Sequence, residues 1–466
     1  PLVPLPEILS WPALVQSHAH AQVFWFAAMV VLGISYHVMP RFMGVALRNV
    51  AAAWASYGLL LGGVILRCLY QPFAQQTPAA VTAILGSAME VGAVIAFLAV
   101  VRSTVQEYKR NLPPGRQGQP FVHMQYLILG SVAFLAATIL SLAGAGVMLI
   151  DRTNLQPPEI NAAWINLSVV GFIGMFIFGV GQRTMPHFLG LEHTRPAAGK
   201  AALAALTFGL VLQISSLMTP GSKFQIASSA SLQFIGFLLF FLAVPLLGRI
   251  PVHRPAAPPL FALFVRTAFA WGLLGTAGYT AASIAEAVGA GVQRPLVDAY
   301  RHAWTLGWIT TLIVGVGYRL LPIFFGKEIR RPRAITAIYA ALTAAVAVRV
   351  GADIASLWIP SAYLWTSMSG VLALLAVLLF AVEVWQLTSK EEIAQSLPAD
   401  SEITGSSNVA AVLDAHPELL PVFVRYGFGA LQNPVARKTV ARFVSIAQAA
   451  RKHGVDATAM IAELNS

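Results

Sequence analysis

The chain is poor in charge and nearly devoid of cysteine. Only 11% of its residues are Asp, Glu, Lys or Arg, against about 25% in a soluble domain, which excludes a water-facing surface for most of its length. Cys68 is the single cysteine. That excludes a disulfide framework, any iron–sulfur or zinc site made of this chain's own thiols, and the Cys-x-x-Cys-His attachment of a covalent heme. A metal must therefore rely on His, Met or carboxylate. Acidic residues are the minority, 19 against 30 Lys and Arg. In a chain that is 57% hydrophobic with a mean hydropathy of +0.71, this basic excess reads as positively charged loops at a membrane face, with no nucleic acid as partner. The class is a polytopic membrane protein whose first partner is the lipid bilayer.

A bilayer crossing needs about 20 mostly apolar residues. That criterion gives eleven spans, at 12–40, 45–70, 79–102, 121–150, 160–187, 198–218, 226–247, 259–289, 298–325, 333–358 and 361–388. Arg41 and Arg48, Arg102 to Arg116, Arg195 and Lys200, Arg249 and Arg254, and Lys327 to Arg333 fall in alternate loops, which the positive-inside rule places in the cytoplasm. Pro1 then starts outside and the C-terminal tail lies inside, as in a multi-pass protein of a bacterial inner membrane. The expected domains are a transmembrane helical domain over 1–390, a linker over 391–401 and a small soluble helical domain over 402–466. In the last, Asn408 to Leu413 and Leu419 to Tyr426 carry helical spacing, Gly427 is a stop, a further helix starts near Pro434, and another ends near Leu464.

Three stretches share the pattern G-x-x-x-[HR]-x-[ML]-P-x-F-x-G: Gly33 to Gly44, Gly179 to Gly190 and Gly315 to Gly326. Their offsets, 146 and 282 residues (179 − 33 and 315 − 33), place them on the first, fifth and ninth spans. The repeating unit is thus four helices. Three units make about 12 spans, of which eleven are visible, and the simplest completion is one span upstream of Pro1. The same offsets relate His20 to Asn166 and His302, His18 to Trp164 and Tyr300, and Arg67 to Gln213 and Arg349. A facing histidine pair at equal height is what bis-histidine ligation of one heme requires. Two equivalent arginines at that height suit heme propionates by charge-assisted hydrogen bonds. The bland alternatives are interfacial histidines, and arginines that snorkel or pair with Asp353 or Glu90. His18 is about 200° around a regular helix from His20, so it faces elsewhere, toward a second metal or a hydrogen bond. His37, His123, His187, His193 and His253 belong to the cytoplasmic ends, where His37 and His187 alternate with Arg at repeat-equivalent positions; their role there is basic charge.

These residues carry a resemblance. His18-Ala19-His20, Gly181-Gln182-Arg183-Thr184-Met185-Pro186-His187-Phe188, and Arg301-His302-Ala303-Trp304-Thr305-Leu306-Gly307 followed by Arg319 resemble the NnrS family over roughly residues 10–390. The resemblance implies a bacterial membrane protein of about twelve spans that holds heme b and copper and is associated with nitric oxide and nitrosative stress. Ala21-Gln22 stands where Glu-Met often follows the paired histidines. The tail, with Tyr426-Gly427-Phe428-Gly429-Ala430, is similar to a small domain of unknown function found with redox proteins, many of which have cysteine at the place of Ala430. The threefold plan of four-helix units also resembles the pseudo-threefold bundle of heme-copper oxidases, but the fifth and sixth spans lack their mid-membrane copper histidines, so oxygen reduction is not the expected reaction.

Three readings remain open at the level of the sequence. One is a heme protein that binds or turns over nitric oxide, or passes electrons from a quinol or cytochrome, as a membrane oxidoreductase, with His18, His20 and His302 as metal ligands. The second is a repeat-built transporter or channel using Arg67, Arg349, Glu90, Asp353 and Glu286 as its path. The third is a non-catalytic scaffold whose tail recruits a partner. The topology makes a prediction independent of that choice. Protease added to intact cells leaves the 402–466 tail uncut until the membrane is permeabilised; cleavage without permeabilisation contradicts the assigned orientation.

Overall fold

The computed structural model describes residues 10–111, 121–191, 194–216, 222–246, 259–325, 331–388, 402–432, 441 and 444–466. His193, His253, Arg116, Arg249, Arg254, Gly326, Lys327, Arg330, the expected linker 391–401 and the expected helix start near Pro434 lie outside the described residues. Among the described residues there are eleven helices long and apolar enough to cross a membrane. They are α1 (Trp11–Met43), α2 (Val50–Phe73), α3 (Thr77–Arg110), α4 (Val122–Ile150), α5 (Pro158–Leu189), α6 (Pro196–Ser215), α7 (Lys223–Ala243), α8 (Pro259–Ala287), α9 (Arg294–Phe325), α10 (Arg333–Ala355) and α11 (Pro360–Leu387). The protein is an all-α polytopic membrane protein, and each expected span is present with its ends moved by a few residues.

The three repeat-bearing helices share one internal construction. Each is interrupted by eight residues of π-helix, at Ala21–Ala28 in α1, Leu167–Gly174 in α5 and Ala303–Thr310 in α9. The offsets are again 146 and 282 residues, to the residue. A π stretch is rare and widens the turn, so its recurrence at one register marks a feature built into all three. The three stretches touch one another pairwise. α1 and α5 both end on a glycine in the left-handed region, Gly44 (φ 67°) and Gly190 (φ 63°), which explains the last position of the shared pattern: a side chain there would be strained.

Close helix approach depends on glycine between α2 and α3. A Cβ on Gly63 would sit 2.7 Å from the carbonyl oxygen of Gly86, and one on Gly86 would sit 2.6 Å from that of Gly63. Such contact of backbones is how membrane helices gain packing where lipid supplies no hydrophobic drive between them. It also brings Arg67 on α2 and Glu90 on α3 into the same interior layer, both fully buried.

The chain divides into two compact units, Pro1–Gly315 with Tyr339–Leu374, and Val316–Ile338 with Leu375–Ser466. The first holds every residue of the candidate site. In the second, Arg331 pairs with Glu383 at 3.2 Å, and the tail folds as short helices α12 (Val409–Ala415), α13 (Leu420–Arg425), α14 (Ile446–His453) and α15 (Ala457–Leu464). Val412, Leu413, Phe423, Ile446 and Met460 form the core of the tail. Asn408 caps α12, Ser445 and Gln448 form a capping box on α14, and Gly427 (φ 90°) follows α13.

The α2–α3 crossing is testable. Gly86→Val drives two methyl groups into the α2 backbone and should lower stability by about 1–3 kcal/mol, read as a fall in thermal unfolding temperature in detergent. Gly58→Ala, with open space beside it, should leave that temperature unchanged.

Candidate functional site

The repeat-equivalent polar positions lie in one layer of the bundle but are resolved differently in each unit. In the second, Asn166 and Gln233 exchange two hydrogen bonds of 3.0 Å, and the Gln213 carbonyl accepts from the Tyr279 hydroxyl at 2.6 Å. Two amides that satisfy each other need nothing further. This unit is a neutral, closed counterpart of the other two.

In the first unit the His20 ring is buried. Its Nε2 lies 2.7 Å from Glu90 Oε1, its face stacks on Trp164 of α5 (centroids 4.9 Å apart, planes at 13°), and Phe24 meets it edge-on. Glu90 Oε2 accepts more weakly from Ser141 at 3.5 Å. The His20 ring is thereby fixed in orientation, with Nδ1 left as the nitrogen not engaged by the carboxylate. Arg67, 0% exposed, donates from Nη1 to Gln71 Oε1 at 2.5 Å, while its Nε and Nη2 have no partner among the described residues. Nε and Nη2 are the two donors of a side-on fork. Gln71 in turn donates to Gln16 at 2.8 Å, and Gln16 accepts from the Gln156 backbone N–H at 3.0 Å, so an amide network closes that end of the layer.

In the third unit His302 holds the carbonyl oxygen of Asp298 at 2.7 Å through Nδ1. A carbonyl only accepts, so Nδ1 carries the proton and Nε2 is the lone-pair nitrogen. Arg349 donates from Nε to Asp353 Oδ2 at 3.0 Å, and Asp353 Oδ1 has no partner among the described residues. Arg349 is within electrostatic reach of both His302 and His18, and the two histidines are within reach of each other.

The expected site residues therefore fall into two groups: His20 with Glu90 and Arg67, and His302 with His18 and Arg349. His18 has its side chain exposed, opposite in direction to buried His20, as a regular helix at that point dictates. No three His, Cys, Asp or Glu side chains among the described residues gather closely enough to hold a metal ion. Pairing with Glu90, weighed for Arg67, belongs instead to His20; pairing with Asp353, weighed for either arginine, is realised by Arg349. Glu286, placed on a buried path in the transporter reading, is at the surface in the last turn of α8. It pairs there with Lys223 at 3.2 Å and accepts the Val292 N–H at 2.8 Å. Gln71 escaped notice in the sequence, although its repeat-mate is Asp353 and both follow their arginine by four residues.

Eleven membrane helices around buried His, Arg and carboxylate side chains define a polytopic helical membrane protein with an ionisable interior layer. Residues 3–391 match the family model described as NnrS protein, and the chain belongs to the NnrS family. Residues 403–461 match the model described as a domain of unknown function, DUF1858. No curated protein matches the chain.

The His20–Glu90 pair carries a prediction. Glu90→Leu strands a buried imidazole and should cost about 3–5 kcal/mol, whereas replacing both partners with apolar residues should recover most of that loss. Thermal unfolding of Glu90→Leu and of His20→Phe/Glu90→Leu decides; equal destabilisation of the two would show that the pair is not the source.

Proposed function

We propose that the protein is a heme-binding integral membrane protein of nitric oxide metabolism or the nitrosative-stress response. Membership of the NnrS family supports the role in the nitric oxide response. The observation that supports heme is His302: its Nδ1 proton is spent on a backbone carbonyl, and its Nε2 lone pair is left for a metal, the usual arrangement of a ligating histidine. Arg67 adds a fully buried guanidinium whose Nε and Nη2 have no partner among the described residues, a fit for a carboxylate such as a heme propionate.

In this reading His20 and His302 would hold one noncovalent b-type heme. Glu90 fixes the tautomer of His20 by holding Nε2, so His20 would ligate through Nδ1. Arg67 and Arg349 would hold the propionates, and His18, beside His302 and Arg349, is the alternative ligand. Held by both histidines, a heme would supply single-electron exchange, with a quinol or a cytochrome as donor, and uptake of nitric oxide by its iron would require one of the two histidines to leave. The surrounding apolar helices exclude water from that layer. For copper, the second metal the family resemblance implies, no group of three ligating side chains gathers among the described residues. The membrane is a bacterial inner membrane with the tail in the cytoplasm. A transporter reading draws on the same buried His20–Glu90 pair and the open donors of Arg67, and a scaffold reading on the separate fold of the tail.

Optical spectra and metal analysis of the purified protein test the proposal. The wild type should carry protein-bound heme with a low-spin spectrum, and His302→Ala should lose the heme or turn it high-spin. His20→Ala should do the same while His18→Ala does not. Absence of heme from a well-folded wild type, or an unchanged low-spin spectrum in His302→Ala, overturns it.

A further inference from the structure

At the end of the bundle away from the His20 layer, three helix ends meet around one guanidinium. Arg183 on α5 holds its Cζ 4.5 Å from the centroid of the Phe42 ring of α1, and its Nη1 donates weakly to His123 Nε2 of α4 at 3.5 Å. A guanidinium only donates, so the imidazole accepts through Nε2, carries its proton on Nδ1 and is neutral. His123 in turn stacks on Phe121, just before α4, with centroids 5.6 Å apart and planes at 15°. Neither partner of Arg183 brings a negative charge, and Arg183 has no ion pair among the described residues. The stretches 33–44, 121–130 and 179–191 that form these ends contain no Asp or Glu.

The height of this guanidinium matters. α5 runs for 32 residues, about 48 Å at a rise of 1.5 Å per residue, whereas the hydrocarbon of a bilayer is about 30 Å thick. A centred helix therefore extends about 9 Å beyond the hydrocarbon at each end. Arg183 stands six residues before Leu189, the last residue of α5, which is again about 9 Å. The guanidinium thus lies at the boundary where lipid phosphates sit. A snorkelling arginine is a lone mobile chain, but this one is already held from α1 by cation–π contact and from α4 by the imidazole. Holding it in advance removes rotamer entropy that capture of a phosphate otherwise costs. Phe121, 71% exposed, and Phe42, 42% exposed, give an apolar wall beside it for acyl chains.

We propose that this junction of α1, α4 and α5 is a binding site for an anionic phospholipid. Arg183 takes the phosphate through its remaining N–H groups, whose planar fork matches two phosphate oxygens, and the lipid supplies the counter-ion that the protein does not provide. His187 is exposed one turn further along the same face of α5, toward the headgroup. A zwitterionic phospholipid brings its own ammonium group to the phosphate and gains less there. The site is remote from the His20 layer and does not rest on heme.

Native mass spectrometry of the full chain in detergent, titrated with phosphatidylglycerol, with phosphatidylcholine or with inorganic phosphate, tests this. The wild type should take up one phosphatidylglycerol at lower concentration than phosphatidylcholine, with no comparable uptake of free phosphate. Arg183→Gln should weaken phosphatidylglycerol binding about fivefold, the attraction of roughly one interfacial cation, and leave phosphatidylcholine unchanged. Arg110→Gln, which removes an exposed basic residue from the same end of α3, should change neither. If Arg183→Gln unfolds at a lower temperature than the wild type in lipid-free detergent, Arg183→Lys replaces it, and it too must lose phosphatidylglycerol selectively because an ammonium group has no fork. Equal affinity for the two lipids, an undiminished preference in the Arg183 variant, an equal loss in Arg110→Gln, or inorganic phosphate bound as tightly as lipid overturns the proposal.

Discussion

A polar side chain carried into hydrocarbon must find its partner inside the protein, and the interior layer of this molecule is organised by that demand. In hydrocarbon an unmatched donor or acceptor costs several kcal/mol. The second unit meets the demand with two amides that satisfy each other. The first meets it partly, with His20 on Glu90 and Arg67 on Gln71, and leaves two guanidinium nitrogens without a partner among the described residues. The third ties Arg349 to Asp353 and leaves the lone pair of His302 open. Among the repeat-equivalent His, Arg, Asn and Gln positions the open groups lie in the two units that carry histidine, while in the second unit Trp164 Nε1 and Ser168 Oγ on α5 are also without a partner among the described residues.

The π-helical stretches give this layer its geometry. Each follows the histidine-equivalent position directly: Ala21 after His20, Leu167 after Asn166, Ala303 after His302. A widened turn shifts the helix register, so side chains on either side of it address different neighbours. Above the turn lie the polar positions; within it lie the aromatic and small residues through which the three helices touch. The glycines of α2 and α3 bring their backbones close enough to keep the arginine-bearing and carboxylate-bearing helices in the same layer.

Much of this was legible in the sequence, because membrane spans and repeat offsets are one-dimensional signals. The eleven helices follow from runs of apolar residues, and the offsets of 146 and 282 residues reappear as identical π-helix boundaries. The opposite directions of His18 and His20 follow from helical rotation alone. Partner choice was not legible. Glu90 could equally have faced Arg67, and only the stacking of His20 on Trp164 and the close α2–α3 crossing settle it on the imidazole. The surface position of Glu286 was missed because a carboxylate near a span end reads the same whether it turns inward or toward a lysine on the next helix. The role of Gln71 was hidden because glutamine carries no charge to mark it.

The central claim is that His20 and His302 hold one heme in this layer. Near-infrared magnetic circular dichroism of the purified ferric protein reports axial ligand identity directly. The account predicts the charge-transfer band of bis-imidazole ligation, abolished in both His20→Ala and His302→Ala. A spectrum of high-spin or single-histidine heme in the wild type, or a bis-imidazole band that survives either substitution, contradicts it.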